Sequence, residues 1–145
     1  MVRINDIVEE VLKYNPQADV ELLQKAYIFS AQAHKGQVRL SGEPYLIHPL
    51  EVAYTLTKMN LDVPSIISGL LHDTVEDSYV SKEEIEDYFG KEIADLVDGV
   101  TKISKIELKP SEDSKVENFR KMILAMSKDI RVILIKLADR YHNML

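Results

Sequence analysis

Apolar residues recur at helical spacing along most of the chain. Leu23, Ala26, Tyr27 and Ser30 share one face of a 3.6-residue period, as do Val52, Leu56 and Met59, and then Ile93, Leu96, Val97 and Val100. No stretch alternates convincingly in the manner of a strand. Helix starts are marked independently: Ser81 with Glu84 and Ser114 with Glu117 fit capping boxes, and Pro49 and Pro64 suit first-turn positions. Together these patterns predict about eight helices, near residues 4–13, 19–34, 48–59, 64–73, 81–89, 91–105, 114–128 and 130–143. The expected fold class is all-α, an irregular multi-helix bundle without internal repeats.

Two stretches resist the helical reading, GQVRLSGEPYLI (Gly36 to Ile47) and ELKPSEDSK (Glu107 to Lys115), and both are loops by composition. The first contains Arg39, Ser41 and Tyr45 and runs directly into His48. Loops beside a site often carry its specificity.

Overall composition narrows the function classes. A chain of 145 residues with 46% hydrophobic content can bury the core of one domain. Its net charge of −6 argues against a general DNA binder or membrane-surface binder, so an anionic ligand has to be met by local cations. There is no cysteine, which excludes disulfides and thiolate metal sites. The N-terminal MVRINDIVEEVLKY reads as a short amphipathic helix with no continuous apolar core, and the expected location is cytoplasmic.

Against that background LLHDTVED (Leu70 to Asp77) stands out, because a histidine and three carboxylates close a strongly apolar stretch and are costly to desolvate. If the helix continues, Glu76 lies one turn beyond His72 and Asp77 one turn beyond Asp73. VILIKLADRYHNML (Val132 to Leu145) adds a polar stripe of Lys136, Asp139, Arg140 and Asn143 on a largely apolar helix. His48 stands at a helix start before Pro49. His48, His72, Asp73 and Asp139 thus offer two imidazoles and two carboxylates from three helices, a nitrogen and oxygen set suited to Mn²⁺, Fe²⁺ or Zn²⁺. Glu76 is the first candidate for a proton relay, with Asp77 positioning water; the division between them stays open. Arg39 can stack on a base or contact phosphate. Lys102 and Arg140 are further sources of positive charge, although Arg140 and Lys136 are equally explained as structural ion-pair partners. His34 and His142 are read as structural histidines, and Tyr45 as packing first and as lining the pocket second.

The H…HD…D spacing in an all-α chain resembles the HD-domain phosphohydrolase superfamily. HKGQVRLSGEPYLIHP (His34 to Pro49), LLHDTVEDS (Leu70 to Ser78), DGVTKI (Asp98 to Ile103) and KLADRYHNM (Lys136 to Met144) more specifically resemble the hydrolase domain of bifunctional Rel/Spo-type alarmone enzymes. The resemblance implies an HD-domain bundle that hydrolyses guanosine tetra- and pentaphosphate, (p)ppGpp, at the ribose 3′ position to pyrophosphate and GDP or GTP, as part of stringent-response control. It implies Mn²⁺ as cofactor, His48, His72, Asp73 and Asp139 as metal ligands, and Glu76 and Asp77 as the acidic pair beside the attacking water. It also favours guanine stacking for Arg39, with Ser41 and Asn143 helping to hold the nucleoside. Leu40 departs from the basic residue that many members carry there. Leu145 closes a helix without a stop signal, so residues 1–145 are expected to be an HD-type domain truncated at its C-terminus, with synthetase and regulatory domains in a longer parent. Two other readings remain open, an HD phosphohydrolase of another nucleotide and a non-catalytic alarmone-binding module.

Overall fold

A computed structural model describes residues 1–38, 42, 44–107, 116–117, 119–120 and 129–144. In chain order these form α1 (Ile4–Tyr14), α2 (Val20–Ala33), α3 (Ile47–Lys58), α4 (Val63–Leu71), α5 (Thr74–Asp77), α6 (Lys82–Phe89), α7 (Lys91–Glu107) and α8 (Ile130–Asn143). Among the described residues the only extended pairing is one antiparallel bridge, Val38 to Pro44, at the base of the loop before α3. The architecture is all-α, as the periodicity predicts.

Helix α4 is the axis of the bundle. From Ser65 through Leu71 every residue is buried, and the helix packs against α2, α3, α7 and α8. Its start is fixed by Asp62, whose Oδ1 accepts from the Ser65 backbone N–H at 3.0 Å and from the Ser65 hydroxyl at 2.6 Å. Pro64 occupies the first turn, where a missing N–H costs nothing. The buried Ser68 hydroxyl donates to the Pro64 carbonyl at 2.7 Å, so this polar group in an apolar helix is satisfied within the helix itself. Arg131 Nη1 then donates to Asp62 Oδ2 at 2.8 Å and ties the start of α8 to the start of α4.

The core built around this axis draws Ile7 and Val11 from α1, Leu23 and Ala26 from α2, Val52, Ala53 and Leu56 from α3, and Ile135 and Ala138 from α8. Burying one of these Val, Leu or Ile side chains contributes roughly 1.5–3 kcal/mol relative to exposure, which is what holds the short helices in register. Gly90 ends α6 at φ +95, a left-handed backbone that glycine adopts without strain, and lets α7 begin at the next residue.

One expected helix is interrupted. The periodicity predicts 64–73 as a single element, but α4 stops at Leu71 and the four-residue α5 follows after His72 and Asp73. Side chains take the carbonyls that would have continued the ladder. His72 Nδ1 lies 2.6 Å from the Gly69 carbonyl, and the Thr74 hydroxyl donates to the Leu71 carbonyl at 2.7 Å. Asp73, at φ −90 and ψ −10, turns the chain, and the Asp77 backbone N–H closes the following turn on the Asp73 carbonyl at 2.9 Å. Most of the predicted helix 114–128, with Ser114, lies outside the described residues, as does the predicted loop 107–115 apart from Glu107, which closes α7.

The crossing of α7 with α8 depends on Gly99. A Cβ placed there would lie 2.8 Å from Val132 Cγ2 and 3.2 Å from Cγ1, and a β-branched side chain cannot rotate both methyls away at once. Gly99→Ala is expected to destabilise the protein by about 1 kcal/mol net, because overpacking of ~1–3 kcal/mol exceeds the ~1 kcal/mol of helix propensity that alanine adds. In a Val132→Ala background the clash is gone and the same change should stabilise. Urea unfolding of the four proteins reads both signs.

Candidate metal centre

Three separate elements bring the chemistry together. His48 comes from the first turn of α3, His72 and Asp73 from the break between α4 and α5, and Asp139 from the buried side of α8. All are nearly closed to solvent, at 4%, 2%, 6% and 6% exposure respectively. Each offers one donor atom to a group lying within 4.8 Å of one another.

The pairwise geometry is tight. Asp139 Oδ1 is 2.6 Å from His48 Nε2 and 3.2 Å from His72 Nε2; the two Nε2 atoms are 3.3 Å apart; Asp73 Oδ1 is 2.8 Å from His72 Nε2. His72 Nδ1 faces the Gly69 carbonyl, which can only accept, so Nδ1 carries a proton and a neutral His72 presents a bare Nε2 to the two carboxylates. Lone pairs converging with anionic oxygens require a cation or a proton between them. This donor set fits a divalent metal ion: nitrogen and carboxylate oxygen, no sulfur, and a backbone carbonyl orienting one imidazole from behind.

Electrostatics without a metal say the same. Burial pushes the His72 pKa down, but Asp73 and Asp139 outweigh it and hold the imidazolium well above its ordinary range. Burial pushes Asp139 up, yet hydrogen bonds from His48 and His72 and from Lys136 bring it far below the ordinary carboxylate range. Asp73, also pushed up by burial, is lowered by His72. A proton on His72 Nε2 would compensate the same two carboxylates that a metal ion held by this donor set would neutralise.

Around this cluster runs an acidic rim. Asp73, Glu76 and Asp77 bring carboxylate oxygens within 4.8 Å of one another, the last two exposed on α5. Burial first, and the Asp73 charge second, raise the Glu76 pKa above its ordinary value even though the residue stays open to solvent. Asp77 is held on two sides: Tyr45 donates its hydroxyl to Oδ2 at 2.5 Å, and Gln37 Nε2 donates to the Asp77 carbonyl at 2.8 Å. Tyr45 in turn stacks on His34, whose Nδ1 lies 3.0 Å from Gln37 Oε1. Tyr45, read from the sequence as packing, is thus a direct partner of the rim.

On α8, Lys136 Nζ donates to Asp139 Oδ2 and to Ser104 Oγ of α7, both at 2.9 Å, and Asn143 Nδ2 lies 3.4 Å from Asp139 Oδ1. Arg140 is exposed. Lys102 Nζ pairs with Asp98 Oδ2 at 2.9 Å on the outside of α7. Arg39, Leu40 and Ser41 lie outside the described residues. Ser104 was not singled out in the sequence, and His142 was read there as a structural histidine. His142 Nδ1 lies 2.6 Å from His48 Nδ1 with the rings stacked, and its place three residues past Asp139 on the same stripe was the available signal. His34, read as a satisfied structural histidine, has a buried Nε2 with no hydrogen-bond partner among the described residues.

The geometry agrees with three comparisons. The HD domain model matches residues 26–145. A GTP pyrophosphokinase of Myxococcus xanthus is 57% identical over 137 residues, which cover 92% of this chain and 18% of the relative. A guanosine-3′,5′-bis(diphosphate) 3′-pyrophosphohydrolase of Vibrio cholerae is 48% identical over 97% of this chain and 20% of its own length, and the bifunctional (p)ppGpp synthase/hydrolase SpoT of Escherichia coli is 49% identical over 90% and 19%. The chain thus spans about one fifth of the curated relatives it matches. A solved structure described as that of a metazoan ortholog of SpoT, which hydrolyzes ppGpp and plays a role in starvation responses, superposes with a TM-score of 0.64 at 30% identity, covering 83% of this chain and 66% of that one.

The elevated His72 pKa gives a signed pH dependence. In metal-free protein the imidazolium contributes stability that is fully present below its unfolded value of about 6.5 and is lost as pH rises through the folded value. The lowered Asp73 and Asp139 contribute above about pH 4 and lose their contribution only in stronger acid. Thermal stability of the chelated protein should therefore fall as pH rises from about 6.5 through the folded pKa of His72. Divalent-metal affinity should rise over the same interval, with a proton released on binding. Calorimetric titration in two buffers of different ionisation enthalpy measures that release, and a heat independent of buffer would contradict it.

Proposed function

Because the chain belongs to the HD-domain family and matches the region of it present in SpoT-type enzymes, we propose that it hydrolyses (p)ppGpp at the ribose 3′ position with Mn²⁺, releasing pyrophosphate and GDP or GTP. The observation that carries this reading is the buried convergence of His48, His72, Asp73 and Asp139 beside a carboxylate rim that reaches solvent.

His48, His72, Asp73 and Asp139 would hold the metal. When bound, a divalent cation supplies a Lewis acid for phosphate oxygens and lowers the pKa of water. Water adds to the phosphorus attached to the 3′ oxygen, the bond to that oxygen breaks, and a proton returns to the leaving 3′ oxygen. Glu76 takes the proton of the attacking water; its raised pKa brings it nearer to the range in which a carboxylate both accepts and returns a proton. Asp77, fixed by Tyr45 and Gln37, positions that water. Arg39 stacks on guanine, and Ser41 and Asn143 hold the nucleoside; these roles rest on the sequence resemblance. A cytoplasmic setting, and synthetase and regulatory domains in a longer parent, belong to the same proposal.

The deciding experiment is pyrophosphate release from ppGpp with Mn²⁺ and after chelation, with another purine nucleotide as comparison. Metal-dependent release specific to ppGpp supports the reading, and release only from the other nucleotide replaces it with a different HD phosphohydrolase. Glu76→Gln should keep Mn²⁺ and nucleotide binding but lower turnover by at least about 100-fold. Arg39→Ala should weaken binding of a non-hydrolysable ppGpp analogue by about 1–2 kcal/mol in saturating Mn²⁺ while leaving metal affinity unchanged. Equal analogue affinity for parent and variant removes Arg39 from the site.

A further inference from the structure

The two imidazoles of the cluster are oriented from behind in different ways. Behind His72 stands the Gly69 carbonyl, an obligate acceptor that admits one tautomer. Behind His48 stands another histidine: Nδ1 of His48 and Nδ1 of His142 are 2.6 Å apart, with ring centroids at 4.9 Å and planes at 29°. Two nitrogens at that distance share one proton, so one donates and the other accepts. If His142 donates, the neutral His48 carries its proton on Nε2, the atom aimed at Asp139 and His72, and no lone pair faces the cluster. If His142 accepts, His48 carries its proton on Nδ1 and turns a bare Nε2 inward.

We propose that His142 is a positioning residue for the metal centre, its Nδ1 accepting the Nδ1 proton of His48 and so fixing His48 as an Nε2 ligand. The inference rests on the metal-binding reading above and adds to it a residue outside the ligand set. The fold supports the role: His142 sits three residues beyond Asp139 on α8, so the helix that supplies one ligand also orients a ligand from α3. Histidines that bind metals through one nitrogen almost always donate from the other, and loss of such an acceptor typically weakens metal binding 10–100-fold.

The test uses the 145-residue chain and metal ions alone. Calorimetric titration with Mn²⁺ should give at least tenfold weaker binding for His142→Leu, whereas His142→Asn, whose amide oxygen can stand near the position of Nδ1 and accept, should remain within about threefold of the parent. Circular dichroism monitors the helices. Equal weakening by both variants would overturn the proposal, since bulk and not an acceptor would then be responsible; so would parent-like binding by His142→Leu. Asp73→Asn separates the two levels: if it leaves Mn²⁺ affinity unchanged the metal reading falls and this inference with it, while a loss there beside an unaffected His142→Leu removes only His142. A measurement on the parent avoids any folding defect. In ¹⁵N-histidine protein loaded with diamagnetic Zn²⁺, the proton should reside on His48 Nδ1 with a scalar coupling across the hydrogen bond to His142 Nδ1. A proton found on His142 Nδ1 instead would overturn the assignment.

Discussion

Two carboxylates buried within reach of each other are the constraint on which this bundle turns. Asp73 and Asp139 are each 6% exposed, and a desolvated carboxylate without compensation is among the most costly groups a fold can contain. Compensation comes from every side: His72 and His48 at the inner oxygens, Lys136 at Asp139 Oδ2, Asn143 beside Oδ1. These partners come from α3, the end of α4 and α8, so the cluster lies where three helices meet. Buried ion pairs are weak evidence for stability, because well-packed apolar side chains in their place commonly serve as well or better. Such a set in the most apolar part of the chain therefore points to chemistry.

The site has a rigid half and a propped half. The inner half is held by α3, α8 and the chain leaving α4, with the His72 ring fixed by the Gly69 carbonyl. The outer half, Glu76 and Asp77, sits on a helix of four residues, far too short to be stable by itself. It is supported by contacts from the segment before α3, where Tyr45 and Gln37 grip Asp77 and His34 backs both. That segment also contains Arg39 and Ser41, so on the proposed reading substrate recognition and the proton-handling rim share one support.

The helical periodicity located the elements well because each helix buries one stripe; α1, α6, α7 and α8 lie where the pattern puts them, within a few residues. The break after Leu71 was not legible, since it arises from His72 and Thr74 side chains competing for carbonyls one turn back, a local effect that hydrophobic spacing does not register. Residue chemistry offered His48, His72, Asp73 and Asp139 as candidate donors, the family resemblance implied them as a ligand set, and the structure brings their donor atoms together. Their outer partners were less legible. Tyr45 and Asp77 are 32 residues apart with no local mark of the pairing, and His48 and His142 are 94 apart, with only the spacing of His142 from Asp139 as a signal. Lys102 illustrates the reverse case: its motif suggests a substrate cation, while its geometry engages Asp98 on the outer face of α7.

Charge balance explains how such a site can be proposed for a highly anionic nucleotide on a chain of net charge −6. Without a cation, Asp73, Asp139 and the rim carboxylates Glu76 and Asp77 present a field that repels phosphate, and Lys136 is already engaged with Asp139 and Ser104. A divalent ion held by His48, His72, Asp73 and Asp139 would neutralise the inner pair and would supply Lewis acidity toward water and phosphate. A proton on His72 could not do this, because it would be taken up in the pairing with Asp73 and Asp139 and would offer no open position. Substrate attraction and activation of water would then both depend on one exchange at a single buried point, proton for metal, which binds the stability of the cluster and its chemistry to the same few atoms.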